Sequence, residues 1–358
     1  MKKRILRICL PLLILMIFLG LTACSSDRKS IPTEVTQSNE QDGGDVQRDE
    51  EDVQEDIEKN EEDEPQNQVD RYSEIIDTSK DDGKLAIYFL DLPVIETSDN
   101  KSGDSSLLIS PDGKVMLVDA GLPECAPHII SFLEKLGIEK IDYFVASHPH
   151  IDHIGGFASL ASKINIGKVY RNDMAYTTKT YKNFVNALEA MDIPVEYLKE
   201  GDEIAFGEDI QVKIYNPKAE YEYPKDYPNS STQFINDNSI VMKLIYGKST
   251  ILYAGDIYRT RERDLLMTYG DELQADVIKA NHHGGGTSNS NRWIKGTQPK
   301  IVVAMRDKID SMSVYENFVK QGATYYNAAL NGEVKILIDN EKNYTVINQF
   351  DNWNNEDT

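Results

Sequence analysis

Cysteine is scarce in this chain: three residues in 358, at Cys9, Cys24 and Cys125. Cys9 and Cys24 lie in the first two dozen residues, so the body holds Cys125 alone. No intrachain disulfide framework is available. Cys125 precedes an apolar, helix-like run (Ala126 to Leu136) and reads as a small core residue rather than a nucleophile. Basic runs are missing as well. From Arg71 to the end there are 43 acidic and 30 basic residues, with no basic stripe. A tight, non-specific binder of duplex DNA would be expected to carry one. Histidine is rare, six in all, and none falls between His153 and His282. Long apolar runs are lacking too. The longest, Ile8 to Leu19, is too short for a comfortable membrane span.

Against that sparse background, three histidines crowd into one hexapeptide. His148-Pro149-His150-Ile151-Asp152-His153 follows an apolar β-type run, Tyr143 to Ala146. Imidazole and carboxylate are ligand types that zinc and its neighbours prefer. On a loop leaving a strand, alternate residues face the same way, so His148 and His150 can grip one ion. Asp152 and His153 then turn toward a second position. Two more histidines are adjacent at His282-His283, and the sixth, His128, reads as structural or surface. Apolar β-type runs at 85–90, 106–109, 115–118, 143–146, 210–215, 240–246, 251–253, 277–280, 301–305 and 334–338 interleave with helical patterns at 126–136, 181–191, 258–269 and 314–320. Pro111-Asp112-Gly113 marks a hairpin turn. Such interleaving predicts an α/β fold.

These motifs resemble the metallo-β-lactamase superfamily. Val115 to Gly121 is similar to the family's strand-plus-Asp-Gly element, with Asp119 behind the metal loop. Ile251 to Asp256 is a strand ending in Gly-Asp, and Val277 to Gly284 is a strand delivering histidine. Gly103-Asp104-Ser105, Asn238-Ser239 and His282-His283-Gly284 with Thr287-Ser288 narrow the resemblance to the ComEC/Rec2 competence-protein branch, which is linked to nucleic-acid processing. The branch's usual Gly-Gln-Gly-Asp turn is altered here, because residues 92–102 intervene before Gly103. The resemblance implies a four-layer αββα sandwich. It also implies two divalent metal ions, zinc with manganese as the alternative. His148 and His150 are expected on the first ion. Asp152, His153 and His282 are expected on the second, with Asp256 bridging. The family's usual third histidine on the first ion is absent; Asn236, Asp237 or Asn238 lies about where it would be. Asp152 and His283 are the expected catalytic pair, with His283 as proton donor. Asn238, Ser239, Thr287 and Ser288 are expected on the substrate, with the amides of Gly284 to Gly286 open to an anion.

The N-terminus, with Lys2, Lys3, Arg4 and Arg7 before the apolar run and Leu21-Thr22-Ala23-Cys24 after it, resembles a bacterial lipoprotein signal. That likeness implies lipidation at Cys24 and anchoring to the membrane outside the cytoplasm. Residues 25–70 hold 17 acidic and 4 basic residues and few apolar ones, the composition of a disordered tether. The expected layout is a signal peptide at 1–23, a lipid-anchored linker at 24–80, a hydrolase domain at 81–350 and a tail at 351–358. The Tyr/Pro-rich stretch Tyr221 to Tyr227 reads as a surface loop. The expected activity is hydrolysis of a phosphodiester by a hydroxide shared between two ions. The substrate is nucleic acid or, alternatively, a wall polymer such as teichoic acid. A non-catalytic surface binding protein on the same scaffold is the rival. Which proteins it partners is left open.

Overall fold

The computed structural model describes residues 70–101, 103–220 and 231–351. The signal peptide, Cys24, most of the acidic linker, the Tyr221 to Tyr227 loop and the tail beyond Asp351 lie outside the described residues. Fifteen strands are present among them: β1 (Leu85–Phe89), β2 (Ser106–Ile109), β3 (Val115–Val118), β4 (Lys140–Ala146), β5 (Asn165–Arg171), β6 (Val195–Tyr197), β7 (Glu203–Phe206), β8 (Ile210–Asn216), β9 (Val241–Tyr246), β10 (Ser249–Tyr253), β11 (Val277–Lys279), β12 (Ile301–Ala304), β13 (Thr324–Asn327), β14 (Val334–Ile338) and β15 (Tyr344–Asn348). The helices are α1 (Tyr72–Ile76), α2 (Ala126–Lys135), α3 (Ile151–Ile154), α4 (Phe157–Ala161), α5 (Lys179–Ala190), α6 (Thr232–Asp237), α7 (Arg259–Tyr269), α8 (Asn291–Thr297), α9 (Met312–Lys320) and α10 (Ala328–Asn331). None of the helices among the described residues is long and apolar enough to cross a membrane.

The strands form two mixed sheets, ordered β15-β14-β1-β2-β3-β4-β5-β6 and β13-β12-β11-β10-β9-β8-β7. Their apolar runs are nearly continuous because most strands are covered on both faces. In β1, Leu85, Ile87 and Phe89 enter the core between the sheets with Met116, Met242 and Ile251. Ala86 and Tyr88 point the other way, into a core with Phe132, Phe157 and Phe184 from α2, α4 and α5. On the far side, Leu252 and Ile278 pack with Leu265 of α7 and Trp293 of α8, and Val302 and Ala304 pack with Phe318 of α9. The result is the expected four-layer αββα sandwich.

One boundary differs from the expectation. Residues 70–80 belong to the fold and not to the linker. Ile75 of α1 is fully buried, and Arg71 N donates to Gln349 O. The apolar pair Ile75-Ile76 is too short to announce itself in an acidic neighbourhood, but sheet packing captures it.

Five strands not expected from the sequence, β5, β6, β7, β13 and β15, are mostly edge or near-edge strands with polar residues in their pattern. The strands that matter for chemistry are β3, β4, β10 and β11. The pairs β3–β4 and β10–β11 are each parallel, so the C-terminal ends within each pair point the same way.

Candidate metal centre

Each of these four strand ends delivers a polar residue to one place. After β3 comes Asp119, in the left-handed region at φ 62°. After β4 come Ser147, His148 and His150, and the first turn of α3 carries Asp152 and His153. After β10 comes Asp256, reached through Gly255 at φ 51°. A side chain at Gly255 would meet Ser239 Cβ at 2.6 Å, so only glycine suits this corner. After β11 comes a single turn in which His282 and His283 both have positive φ, 48° and 56°. Two adjacent left-handed non-glycine residues are strained, at about 1–2 kcal/mol each. Polar groups from other elements hold them. Asn289 Oδ1 accepts from Asn281 N at 3.0 Å, and Asn289 Nδ2 donates to Asn281 O at 2.8 Å. Glu262 of α7, fully buried, accepts from Asn281 Nδ2 at 2.9 Å and from Ser290 N at 2.9 Å.

Asp256 Oδ2 is the focus of the site. His153 Nε2 lies 3.1 Å from it, His283 Nε2 3.3 Å, and His148 and His282 Nε2 each 3.9 Å. His283 Nε2 is also 3.2 Å from Asp152 Oδ2. His150 Nδ1 stands 3.0 Å from His148 Nε2. All seven expected residues (His148, His150, Asp152, His153, Asp256, His282, His283) therefore gather at one site. Behind them is a layer that orients the rings. Asp119 Oδ2 faces His153 Nδ1 at 2.8 Å, and Asp119 also accepts from Ser147 N and Oγ. Asp104 Oδ1 faces His283 Nδ1 at 2.8 Å. A carboxylate on Nδ1 turns Nε2 toward an ion, the usual arrangement behind metal-ligating histidines.

The order of the adjacent histidines differs from the expectation. His283, expected as proton donor, is 2% exposed and joins Asp104, His153 and Asp256 in a buried set whose ligand atoms lie within 4.8 Å of one another. His282, expected as ligand, is 23% exposed, stacks on Tyr258 and faces the cleft. The double positive-φ turn sets this orientation, which strand alternation would not suggest.

The expected substrate contacts also change. Ser288 is fully buried and donates to Ile257 O; Ser239 is fully buried and accepts from Asp256 N at 3.2 Å; Asn238 is 2% exposed and donates to Phe234 O. These three are scaffold. Thr287 is exposed, with its hydroxyl 2.6 Å from His282 Nδ1. His128 pairs with Glu333 at 2.8 Å, away from the centre. Where the missing histidine was expected, Asp237 accepts from Tyr258 N, while Asn236 lines the cleft.

Electrostatics follow from burial and neighbours. Burial pushes the His148 and His150 imidazoles down, so both are neutral. The same holds for His282. Burial would also lower His153, but Asp256, Asp119 and Asp152 outweigh it and hold the ring well above its ordinary value. Burial would raise the Asp256 carboxyl; His153, His283 and Lys279 keep it well below the usual carboxylate range. The centre opens into a cleft of about 390 Å³ lined by His150, Asp152, Tyr176, Thr232, Asn236 and His282, among others. Among the described residues, no lysine or arginine lines it.

Three residues of the site carried no signal of their role in the sequence: Lys279, Glu262 and Asn289. Each is a polar residue buried beside an apolar strand or helix, recognisable only once its partners are in space.

Comparison with known proteins gives a match to the metallo-beta-lactamase superfamily over residues 101–221. The chain is 23% identical over 180 residues to the ComE operon protein 3 of Bacillus subtilis (strain 168), covering 50% of this chain and 22% of that protein. It is 26% identical over 202 residues to the competence protein ComA of Neisseria gonorrhoeae, covering 56% of this chain and 25% of that protein. It is 30% identical over 155 residues to the exodeoxyribonuclease YycJ of Bacillus anthracis, covering 41% and 54%. The chain thus matches about a quarter of the length of the two competence proteins.

Proposed function

From the premise that this chain belongs to the metallo-β-lactamase superfamily, in its competence-protein-like branch, we propose that it is a metal-dependent phosphodiesterase. The observation that carries the reading is the convergence of four imidazole Nε2 atoms on Asp256 Oδ2.

The donor set fits divalent ions. Asn236 Oδ1 is buried with no hydrogen-bond partner among the described residues. The facing nitrogens of His148 and His150 suit a shared electrophile better than each other. Asp152, His153, His283 and Asp256 would hold one ion. His148, His150 and Asp256 would hold the other, with Asn236 on the same side. An imidazole-rich set favours zinc, and an amide oxygen from Asn236 keeps manganese as the alternative. Divalent ions in such a pair activate water near neutral pH and polarise the phosphoryl oxygen.

The chain's own groups do the rest. Asp119 and Asp104 keep the Nε2 atoms of His153 and His283 facing inward. The Thr287 hydroxyl lies 2.6 Å from Nδ1 of His282; in the tautomer in which the hydroxyl donates, the ring proton is on Nε2, facing the cleft, where it would hydrogen-bond a leaving oxygen. Tyr176 and the threonine hydroxyls supply neutral contacts.

Likeness to competence proteins and to an exodeoxyribonuclease supports nucleic acid as substrate. Among the described residues no lysine or arginine lines the cleft, which supports a second reading, hydrolysis of wall phosphodiesters such as those on teichoic acid. The N-terminal pattern ending at Cys24 supports lipid anchoring to the cell membrane outside the cytoplasm.

The test uses the purified chain with bis(p-nitrophenyl) phosphate, single-stranded DNA and phosphocholine esters. Chelator-sensitive cleavage of the first two is expected, with His150→Ala abolishing it. Cleavage of choline esters alone would move the assignment to the wall. No hydrolysis by a metal-loaded chain would overturn the enzyme reading.

A further inference from the structure

Lys279 ends β11 with its side chain sealed in the interior, 3% exposed. An isolated buried ammonium is costly, and this one has three oxygens around it. Its Nζ pairs with Asp104 Oδ2, lies 3.5 Å from Gly255 O and lies 3.5 Å from Asp256 Oδ1.

The contacts divide two carboxylates atom by atom. Asp104 turns Oδ2 to Lys279 and Oδ1 to His283 Nδ1. Asp256 has Oδ1 on the Lys279 side and Oδ2 toward the imidazoles. Both oxygens of Asp104 are engaged, so this carboxylate lies behind His283 even though it is close enough to the other ligand atoms to count among them.

We propose that Lys279 is a positioning residue of the metal centre. Its ammonium keeps Oδ1 of Asp256 turned away from the ions, so that Oδ2 alone is offered to them, and it fixes Asp104 as the orienting partner of His283. The inference rests on the metal-centre reading above and adds a defined role for a cation inside it.

The experiment measures cobalt(II) binding by the full chain, with affinity from chelator competition and geometry from the visible absorption bands. Wild type is compared with Lys279→Met, Asp104→Asn and the double variant. Removing a group that orients ligands typically weakens metal binding about 10–100-fold. That loss is expected in Lys279→Met, together with altered cobalt bands, which a purely structural role would leave unchanged. Unchanged affinity and bands in a folded Lys279→Met overturn the proposal. Should the single variant fail to fold, the double variant restores the charge balance and is compared with Asp104→Asn. A further loss of about tenfold or more supports the proposal. Equal affinity overturns it, because the lysine would then only neutralise Asp104. A wild-type chain that takes up no cobalt removes the metal centre altogether, an outcome distinct from a wild type and a Lys279→Met variant that bind equally.

Discussion

At the scale of single residues, charges buried away from the centre set how stability varies with pH. Asp91 follows β1 and its backbone N donates to Glu333 Oε2 at 2.9 Å. Burial and the Glu333 carboxylate push its carboxyl up to about 7, against the pull of His128. A carboxyl raised in the folded state binds a proton there that the unfolded chain has already lost. This group's contribution to stability is therefore greatest below the unfolded value near 4, falls as pH rises toward 7 and is level above that. Asn in place of Asp removes the ionisation. Asp91→Asn is expected to match wild type at pH 4 and to exceed it at pH 8 by roughly 2 kcal/mol, allowing for partial exposure. Urea denaturation across that range checks it; a variant less stable than wild type at pH 8 contradicts the account. The sequence marks Asp91 only as a residue before an altered loop. The charge beside it comes from position 333, and no local pattern announces such a neighbour.

At the scale of elements, the histidine turn after β11 depends on α7. Glu262 is fully buried and accepts from Asn281 Nδ2, Asn289 N and Ser290 N. Those three groups hold a turn with two strained residues, His282 and His283. Glu262→Ala strands three donors without strengthening any other contact. A loss of about 3–5 kcal/mol is expected on breaking such a buried charged network. Hydrogen exchange in residues 281–290 should rise with it, and metal affinity should drop; unchanged exchange there would show that the turn holds itself. This element also shows what a sequence reveals. The strand before the histidines is legible as Val277-Ile278, and the HxHxDH run is legible because spacing on a strand exit dictates which rings face together. The order of His282 and His283 is not legible, since it depends on a backbone conformation stabilised by Glu262 from 20 residues upstream. Asp104 and His283 are 179 positions apart, and their pairing exists only after both sheets form.

At the scale of the whole molecule, the point where the fold begins decides whether it is stable. Apolar runs alternating with helical patterns make an α/β fold legible and the family resemblance implies its two sheets, but neither reveals the short polar segment that closes the first sheet. Ile75 of α1 is fully buried in the core that also holds Tyr88 and Phe132. Lys335 on β14 is fully buried too, and its ammonium donates to Asp77 O at 2.6 Å and pairs with Asp81 Oδ1 at 2.9 Å. Residues 70–81 thus supply both an apolar plug and the oxygens that neutralise a buried cation. A chain starting at Asp70 keeps both; a chain starting at Gly83 loses both. Removing Ile75 costs about 1.5–3 kcal/mol of burial. Exposing or stranding Lys335 adds about 3–5 kcal/mol. Those sums are comparable to the whole stability of an ordinary domain, about 5–15 kcal/mol. The shorter chain is therefore expected to unfold at much lower urea or to aggregate, and Lys335→Met should recover part of the loss by removing the uncompensated charge. Equal midpoints for the two chains would mean that the acidic segment contributes nothing to the fold.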